Sequence, residues 1–362
     1  MRDETEATQP RPAFRPPVAR VRPARTPIWL VILSGLLGLM VLFCAALSFT
    51  LIAIGPERVL ALRDQVLGKT VQQRVESIQQ IVDVVIRGED VWPVPNRGRV
   101  TILLMGIDRR PSQGNVPTRT DAITLITLDP QAKTAAMLSI PRDLYVPLAG
   151  TERVDRINTA YFYGEANGVP GSGAQAAKDT LALNLGIPVD RYVLIDFDGF
   201  RKTIDALGGI DVNVPKRIVD NEYPTDDYRT EVLVIEAGPQ HLNGELALKY
   251  VRTRHQDSDF GRLQRQQQVI LAVRDKALSL GALTQLPALL DAVAGSYESD
   301  LTVAEIATVA KVWNDIPRES IAAYRIDDQM AVSWTTPNGA SVLIPNRDAI
   351  ASVVQAFLGQ RP

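Results

Sequence analysis

Between Thr26 and Pro56 the chain carries no charged residue, and Ile28 to Ile54 is almost wholly apolar (IWLVILSGLLGLMVLFCAALSFTLIAI). About 20 helical residues cross a bilayer core, so this run is long enough to span one with some tilt. A buried helix of a globular domain is rarely so uniform. A cleaved signal peptide is the stronger rival, because Ala46-Leu47-Ser48 resembles a small-x-small site, although the apolar region exceeds the usual length of about 7–15 residues. A lipoprotein signal does not fit, since Phe43 stands before Cys44 where a small residue is expected. Residues 1–27 hold six arginines against Asp3, Glu4 and Glu6, together with six prolines. That composition predicts a disordered arm, kept in the cytoplasm by its basic excess. Everything after residue 56 is then expected outside the cytoplasm.

The rest of the 362 residues is globular in composition, 46% apolar and 22% charged. Lys plus Arg is 39 and Asp plus Glu is 41, a net charge of -2 that argues against a general nucleic-acid binder. One cysteine excludes an intrachain disulfide or a cysteine-built zinc site. Two histidines, His241 and His255, exclude a multi-histidine metal centre.

Residues 57–88 have helical apolar spacing and predict a stalk or a packing helix, broken by Trp92-Pro93-Val94-Pro95. Strands are predicted at Val100–Met105, Ala122–Leu128, Thr134–Ile140, Tyr192–Asp196 and Ile210–Val214, with a hairpin turn at Asp129–Lys133. Helices are predicted at Ala174–Leu185, Phe200–Leu207, Arg262–Ser279 and Thr302–Trp313. Ala247–Arg252 reads as a strand or a helix end, and Thr336-Pro337-Asn338-Gly339 as a hairpin. The expected fold is α/β (α+β mixed), a central mainly β-sheet flanked by helices. The expected organisation is an arm at 1–27, a membrane helix at 28–55, a stalk and linker at 56–98, and an extracytoplasmic domain at 99–362.

Five charged clusters border these apolar elements, where α/β domains hold ligands. They are Asp108-Arg109-Arg110 after the first strand, Arg119-Thr120-Asp121 before the second, and Arg142-Asp143 after the third. Arg252-Thr253-Arg254 is the fourth; if extended, it points both arginines to one face. In the fifth, Asp257 to Gln266, a helix puts Arg262, Arg265 and Gln266 on a common face. Each cluster alone reads equally as a surface ion pair. Together they suggest a diphosphate gripped by arginine forks and bridged to Asp108 and Asp121 by Mg²⁺ (or Mn²⁺), for phosphoryl transfer by charge neutralisation and positioning.

At these residues the chain resembles the LytR-CpsA-Psr family of bacterial cell-envelope proteins. The resemblance runs through Leu103-Leu104-Met105-Gly106-Ile107-Asp108-Arg109-Arg110, Arg119-Thr120-Asp121-Ala122, Ser139-Ile140-Pro141-Arg142-Asp143-Leu144-Tyr145 and Arg156-Ile157-Asn158. It continues through Phe200, Ala206-Leu207-Gly208-Gly209-Ile210, Leu242-Asn243-Gly244-Glu245 to Arg252-Thr253-Arg254, and Asp259-Phe260-Gly261-Arg262 to Gln267. It implies a phosphotransferase that moves a glycopolymer from a polyprenyl-diphosphate carrier to a peptidoglycan sugar hydroxyl. The prenyl chain is implied to lie in an apolar tunnel with the diphosphate at its mouth. Asp108 and Asp121 are implied as metal ligands; Arg119, Arg142, Arg252, Arg254, Arg262 and Gln266 as contacts to the diphosphate and its first sugar. Arg110, Arg156 (where the family more often has Lys) and Arg265 join that candidate set. Asp143 is expected to orient Arg142, and Asp259 is a candidate general base or an ion-pair partner of Arg262 or Arg254. The acid-rich Asp220–Arg229 reads as an exposed loop, a lid or an acceptor contact. A lipid-diphosphate hydrolase and a non-catalytic envelope regulator are the rival functions.

Overall fold

The computed structural model describes residues 75–84, 87–94, 98–109, 116–225, 229–254, 259–279, 286 and 289–359. All belong to the compact unit that begins at Gln73. The apolar run at 28–55, Cys44, Arg110 and His255 lie outside the described residues. Among the described residues no helix is long and apolar enough to cross a membrane.

The centre is a six-stranded mixed sheet in the order β11-β6-β1-β2-β3-β12. Its strands are β1 (Val100–Ile107), β2 (Thr120–Asp129), β3 (Thr134–Ser139), β6 (Arg191–Asp196), β11 (Tyr297–Ser299) and β12 (Ile321–Arg325). β1 to β3 form an antiparallel meander, while β6 and β12 pair in parallel with β1 and β3. The β2–β3 turn is the predicted one: the Asp129 carboxylate accepts hydrogen bonds from the Gln131 and Ala132 amides.

Side chains of β1 alternate between two faces. Leu103, Met105 and Ile107 enter a core with helix α2 (Ser172–Leu185) and helix α7 (Arg347–Phe357). Val100 and Ile102 pack on the other face with residues of α6 (Val303–Asp315). Each such side chain taken from water contributes roughly 1.5–3 kcal/mol. Helical residues 75–84 insert Ile81 and Val84 against Ala307 of α6, so this part of the 57–88 segment packs on the domain.

A second apolar cluster lies beside the sheet. It joins α3 (Phe197–Ala206), α4 (Gly244–Arg252) and α5 (Asp259–Ser279) to strands β7 (Ile210–Val214), β8 (Ile218–Pro224), β9 (Thr230–Ile235) and β10 (Gly238–Leu242). Ala247–Arg252 is therefore helical. Asn243 caps α4 by accepting from the Leu246 amide. Gly244 abuts the Arg201 backbone, where a Cβ would sit 2.4 Å from a carbonyl oxygen. The Asn-Gly of the sequence motif is thus the device that seats α4 on α3.

The remaining strands form two hairpins at the surface, β4 (Tyr145–Pro147) with β5 (Val154–Arg156) and β13 (Ala331–Thr335) with β14 (Ser341–Pro345). A parallel bridge between Leu144 and Leu343 links them. The short helix α1 (Thr159–Glu165) follows β5.

Candidate functional site

A cavity of about 470 Å3 opens between the carboxyl end of β1 and helices α4 and α5. Its walls divide by chemistry. Leu104, Met105, Phe197, Phe200, Leu248, Val251, Val269 and Ile270 are apolar; Asp108, Asp121, Arg142, Arg252, Arg254, Arg262 and Gln266 are polar. Seven of the side chains singled out in the sequence therefore share one hollow.

Strand pairing explains how Asp121 arrives there. Gly106 pairs with Ala122 and Ile107 with Thr120, so Asp121 is the extra residue of a β-bulge. In a regular strand neighbouring side chains face opposite ways; the bulge lets Asp121 and Ala122 both line the cavity. Asp121 Oδ1 accepts a hydrogen bond from Arg142 Nη1 at 2.5 Å.

Arg142 belongs to a row of ion pairs. Asp143 Oδ2 lies 3.5 Å from Arg142 Nε, and Asp143 Oδ1 lies 3.3 Å from Arg156 Nε. Arg156 also donates to the Ser341 carbonyl on β14. Asp143 and Arg156 therefore stand behind Arg142 and do not line the cavity. Burial works against the Arg142 charge, but Asp121 and Asp143 outweigh it and hold its pKa above the ordinary arginine value.

Arg262 behaves oppositely. Burial, reinforced by the nearby Arg142 and Arg254 charges, pulls its pKa below the ordinary value against the opposition of Asp259 and Asp121. Asp259 Oδ1 sits 3.3 Å from Arg262 Nη1 and is not in the lining. Arg262 Nε and Gln266 Oε1 are buried and make no hydrogen bond. Buried polar atoms usually have partners, and both residues line the cavity.

Arg252 and Arg254 reach the cavity in a manner different from the extended pair envisaged. Arg252 closes α4, its guanidinium 4.3 Å above the Phe197 ring and Nη2 3.7 Å from Asp108 Oδ2. Arg254 follows the extended Thr253 and is exposed. Arg265 is turned elsewhere: Nε donates to the Tyr250 carbonyl and Nη2 to that of Thr253. It caps the end of α4 with positive charge and so sets its two neighbours without lining the cavity. Arg119 is exposed and outside the lining.

Other wall residues come from the stretch that the sequence leaves open between an exposed loop, a lid and an acceptor contact. Of the segment Asp220–Arg229 the structure describes 220–225 and 229. Its start lies in β8, with Asp220, Glu222 and Pro224 forming one wall. Asp220 is buried and accepts from Thr253 Oγ1 at 2.6 Å, while the buried Tyr223 hydroxyl accepts from Arg252 Nη1. The signal was the acid and tyrosine content itself, which a loop reading gave no reason to bury. Glu165 of α1 pairs with Arg109 and accepts from the Thr118 amide, holding both sides of residues 110–115.

Among the described residues no three His, Cys, Asp or Glu side chains cluster closely enough to hold a metal ion. Asp108 and Asp121 both line the cavity, and carboxylates are ligands that a magnesium ion takes together with phosphate oxygens and water.

The sequence model of the LytR_cpsA_psr family matches residues 67–357. The chain is 36% identical over 269 residues to polyisoprenyl-teichoic acid–peptidoglycan teichoic acid transferase TagV of Bacillus subtilis (strain 168), covering 72% of this chain and 65% of that protein. It thus spans less than two-thirds of this relative's length. The crystal structure of B. subtilis TagV superposes with a TM-score of 0.59 at 31% identity, over 74% of this chain and all (100%) of that one. A structure described as TagT bound to LI-WTA gives a TM-score of 0.56 at 27% identity, over 76% of this chain and 98% of that one.

Proposed function

The chain belongs to the LytR-CpsA-Psr family, and from that premise we propose that it is a membrane-anchored glycopolymer phosphotransferase. It takes a polyprenyl-diphosphate-linked glycopolymer as donor and a peptidoglycan sugar hydroxyl as acceptor, on the outer side of the membrane. The observation that carries this reading is one cavity lined both by apolar side chains and by four arginines. A prenyl diphosphate combines the matching two chemistries. Its relative TagV is named as a transferase joining polyisoprenyl-linked teichoic acid to peptidoglycan.

In the proposed mechanism the prenyl chain lies against Phe197, Phe200, Leu248, Val269 and Ile270. Arg142, Arg252, Arg254 and Arg262 bind diphosphate oxygens, and Gln266 adds a polar contact. Asp108 and Asp121 would hold Mg²⁺, which supplies further neutralisation of phosphate charge when bound. The acceptor hydroxyl attacks the sugar-linked phosphorus. A new P–O bond forms, the bond to the bridging oxygen breaks, and the hydroxyl proton passes to the departing phosphate or to water. The product is a phosphodiester, and prenyl monophosphate departs. Arg142 stabilises the charge that grows on the phosphoryl oxygens, because it is fixed from behind by Asp143 and need not reorganise. Asp259 holds Arg262; protonation by the acceptor hydroxyl would cost that pair, so its roles as base and as anchor compete.

The test is direct. The full chain in detergent, given a polyprenyl-diphosphate-linked glycan, Mg²⁺ and peptidoglycan fragments, should yield a phosphodiester-linked conjugate and prenyl monophosphate in equal amounts. Diphosphate cleavage without conjugate would replace the transferase with a hydrolase. Absence of both would remove the enzymatic reading.

A further inference from the structure

The outward face of the two linked hairpins is apolar and aromatic. On β13 and β14, Val332 pairs with Ile344, and Trp334 with Val342, which is itself buried. On β4 and β5, Tyr145 pairs with Arg156 and Pro147 with Val154. The Leu144–Leu343 bridge turns those two leucines toward the core and leaves Tyr145, Ile344 and Trp334 on the other side. Trp334 is 46% exposed and Val332 62%. The rings of Tyr145 and Trp334 lie 6.3 Å apart, tilted by 52°. An exposed tryptophan among exposed aliphatics is informative where a lone exposed leucine is not.

This face lies close to Arg142. Tyr145 is three residues from Arg142, at most about 11 Å along the chain. Arg156, which shares the face with Tyr145, is tied to Arg142 through Asp143. Whatever rests on Trp334 is therefore held near Arg142, on the flank that Asp143 and Arg156 occupy.

We propose that Trp334 and Tyr145 form a platform for the acceptor glycan, stacking on pyranose rings of the peptidoglycan strand and presenting a hydroxyl toward Arg142. Pyranose C–H bonds carry slight positive charge and favour the negative face of an aromatic ring. Arg156 and Asp143, at the platform's edge, match the hydroxyl and amide groups around a sugar ring. A bilayer contact would be expected to add a cluster of lysines and arginines, and here the charges at the edge are a matched pair. The inference rests on the proposed transferase reading, whose donor site it complements.

The experiment is calorimetric titration of the full chain in detergent with N-acetylglucosamine hexasaccharide, paired with acceptor and donor kinetics. Trp334→Ala should weaken hexasaccharide binding and raise the acceptor KM by about tenfold, with the donor KM changed less than about twofold and the melting temperature preserved. Trp334→Phe should restore most of the affinity. Failure of the unmodified chain to bind the hexasaccharide overturns the proposal. So does equal binding by Trp334→Ala, or a loss confined to anionic vesicles or to self-association. Conjugate formation with an unchanged acceptor KM in Trp334→Ala removes the platform and leaves the transferase. Binding through Trp334 without any conjugate does the reverse.

Discussion

Arg142 is held from both sides, by Asp121 in front and Asp143 behind. A guanidinium fixed in this way stabilises a developing phosphate charge without the cost of reordering. Replacing it by Ala should lower conjugate formation at least about 100-fold while the melting temperature moves little, measured by product yield and thermal unfolding. Thr253 tests a different kind of residue. Its hydroxyl meets the buried Asp220 carboxylate between two arginines of the site. Thr253→Val should destabilise by about 1–3 kcal/mol, because a buried carboxylate loses a donor; urea unfolding reads the loss. Asp108, Asp121, Arg142, Arg262 and Gln266 were singled out in the sequence by strand ends and helix spacing, and the structure brings them to one cavity. Arg265 misled, because its spacing from Arg262 fixes a shared helix face and leaves its contact open. In the structure it meets the carbonyls of α4. Asp220 was illegible for the converse reason: a carboxylate is read as exposed unless its partner, here thirty-three positions away, is known.

Elements with strong local signals were legible: β1, β2 and β3 from their apolar runs, α2 from its closing Gly186 at φ 66°, and α6, expected at Thr302–Trp313. At α6, Thr302 accepts from the Glu305 amide while Glu305 accepts from the Thr302 amide, a reciprocal capping box. Thr302→Ala should cost about 1 kcal/mol of stability, read as a lowered melting temperature. Burial resists the Glu305 charge, yet the Thr302 amide and Arg191 prevail and hold its pKa below the ordinary glutamate value. A folded-state pKa that is depressed gives stability that is complete above the unfolded value and disappears as pH falls through the folded one. The stability advantage of the unmodified chain over Glu305→Gln should thus hold at neutral pH and shrink below about pH 4–5, measured by melting temperature against pH. The short strands β4, β5, β8, β9, β10, β11 and β12 left no comparable signal. Three to seven residues in length, they owe their pairing to distant partners, and β-propensity over such a length decides little.

At the scale of the whole chain, the proposal places an anchor at 28–55 ahead of a domain that works outside. A tag after Pro362 should be digested by protease added to intact cells, and a tag before Met1 should survive until the cells are opened. Deleting 28–55 should release the protein from sedimented membranes. The domain draws its cavity from stretches of chain far apart: the β1–β2 ends, the Arg142 loop, the β8 wall and the α4–α5 pair. The bulge at Asp121 has a consequence for how such a molecule can go wrong. Slipping β2 by one residue against β1 would swing Asp121 to the far face and push apolar side chains into water. The same error would spoil the chemistry and the solubility together. A misaligned copy would then be sticky and inert at once.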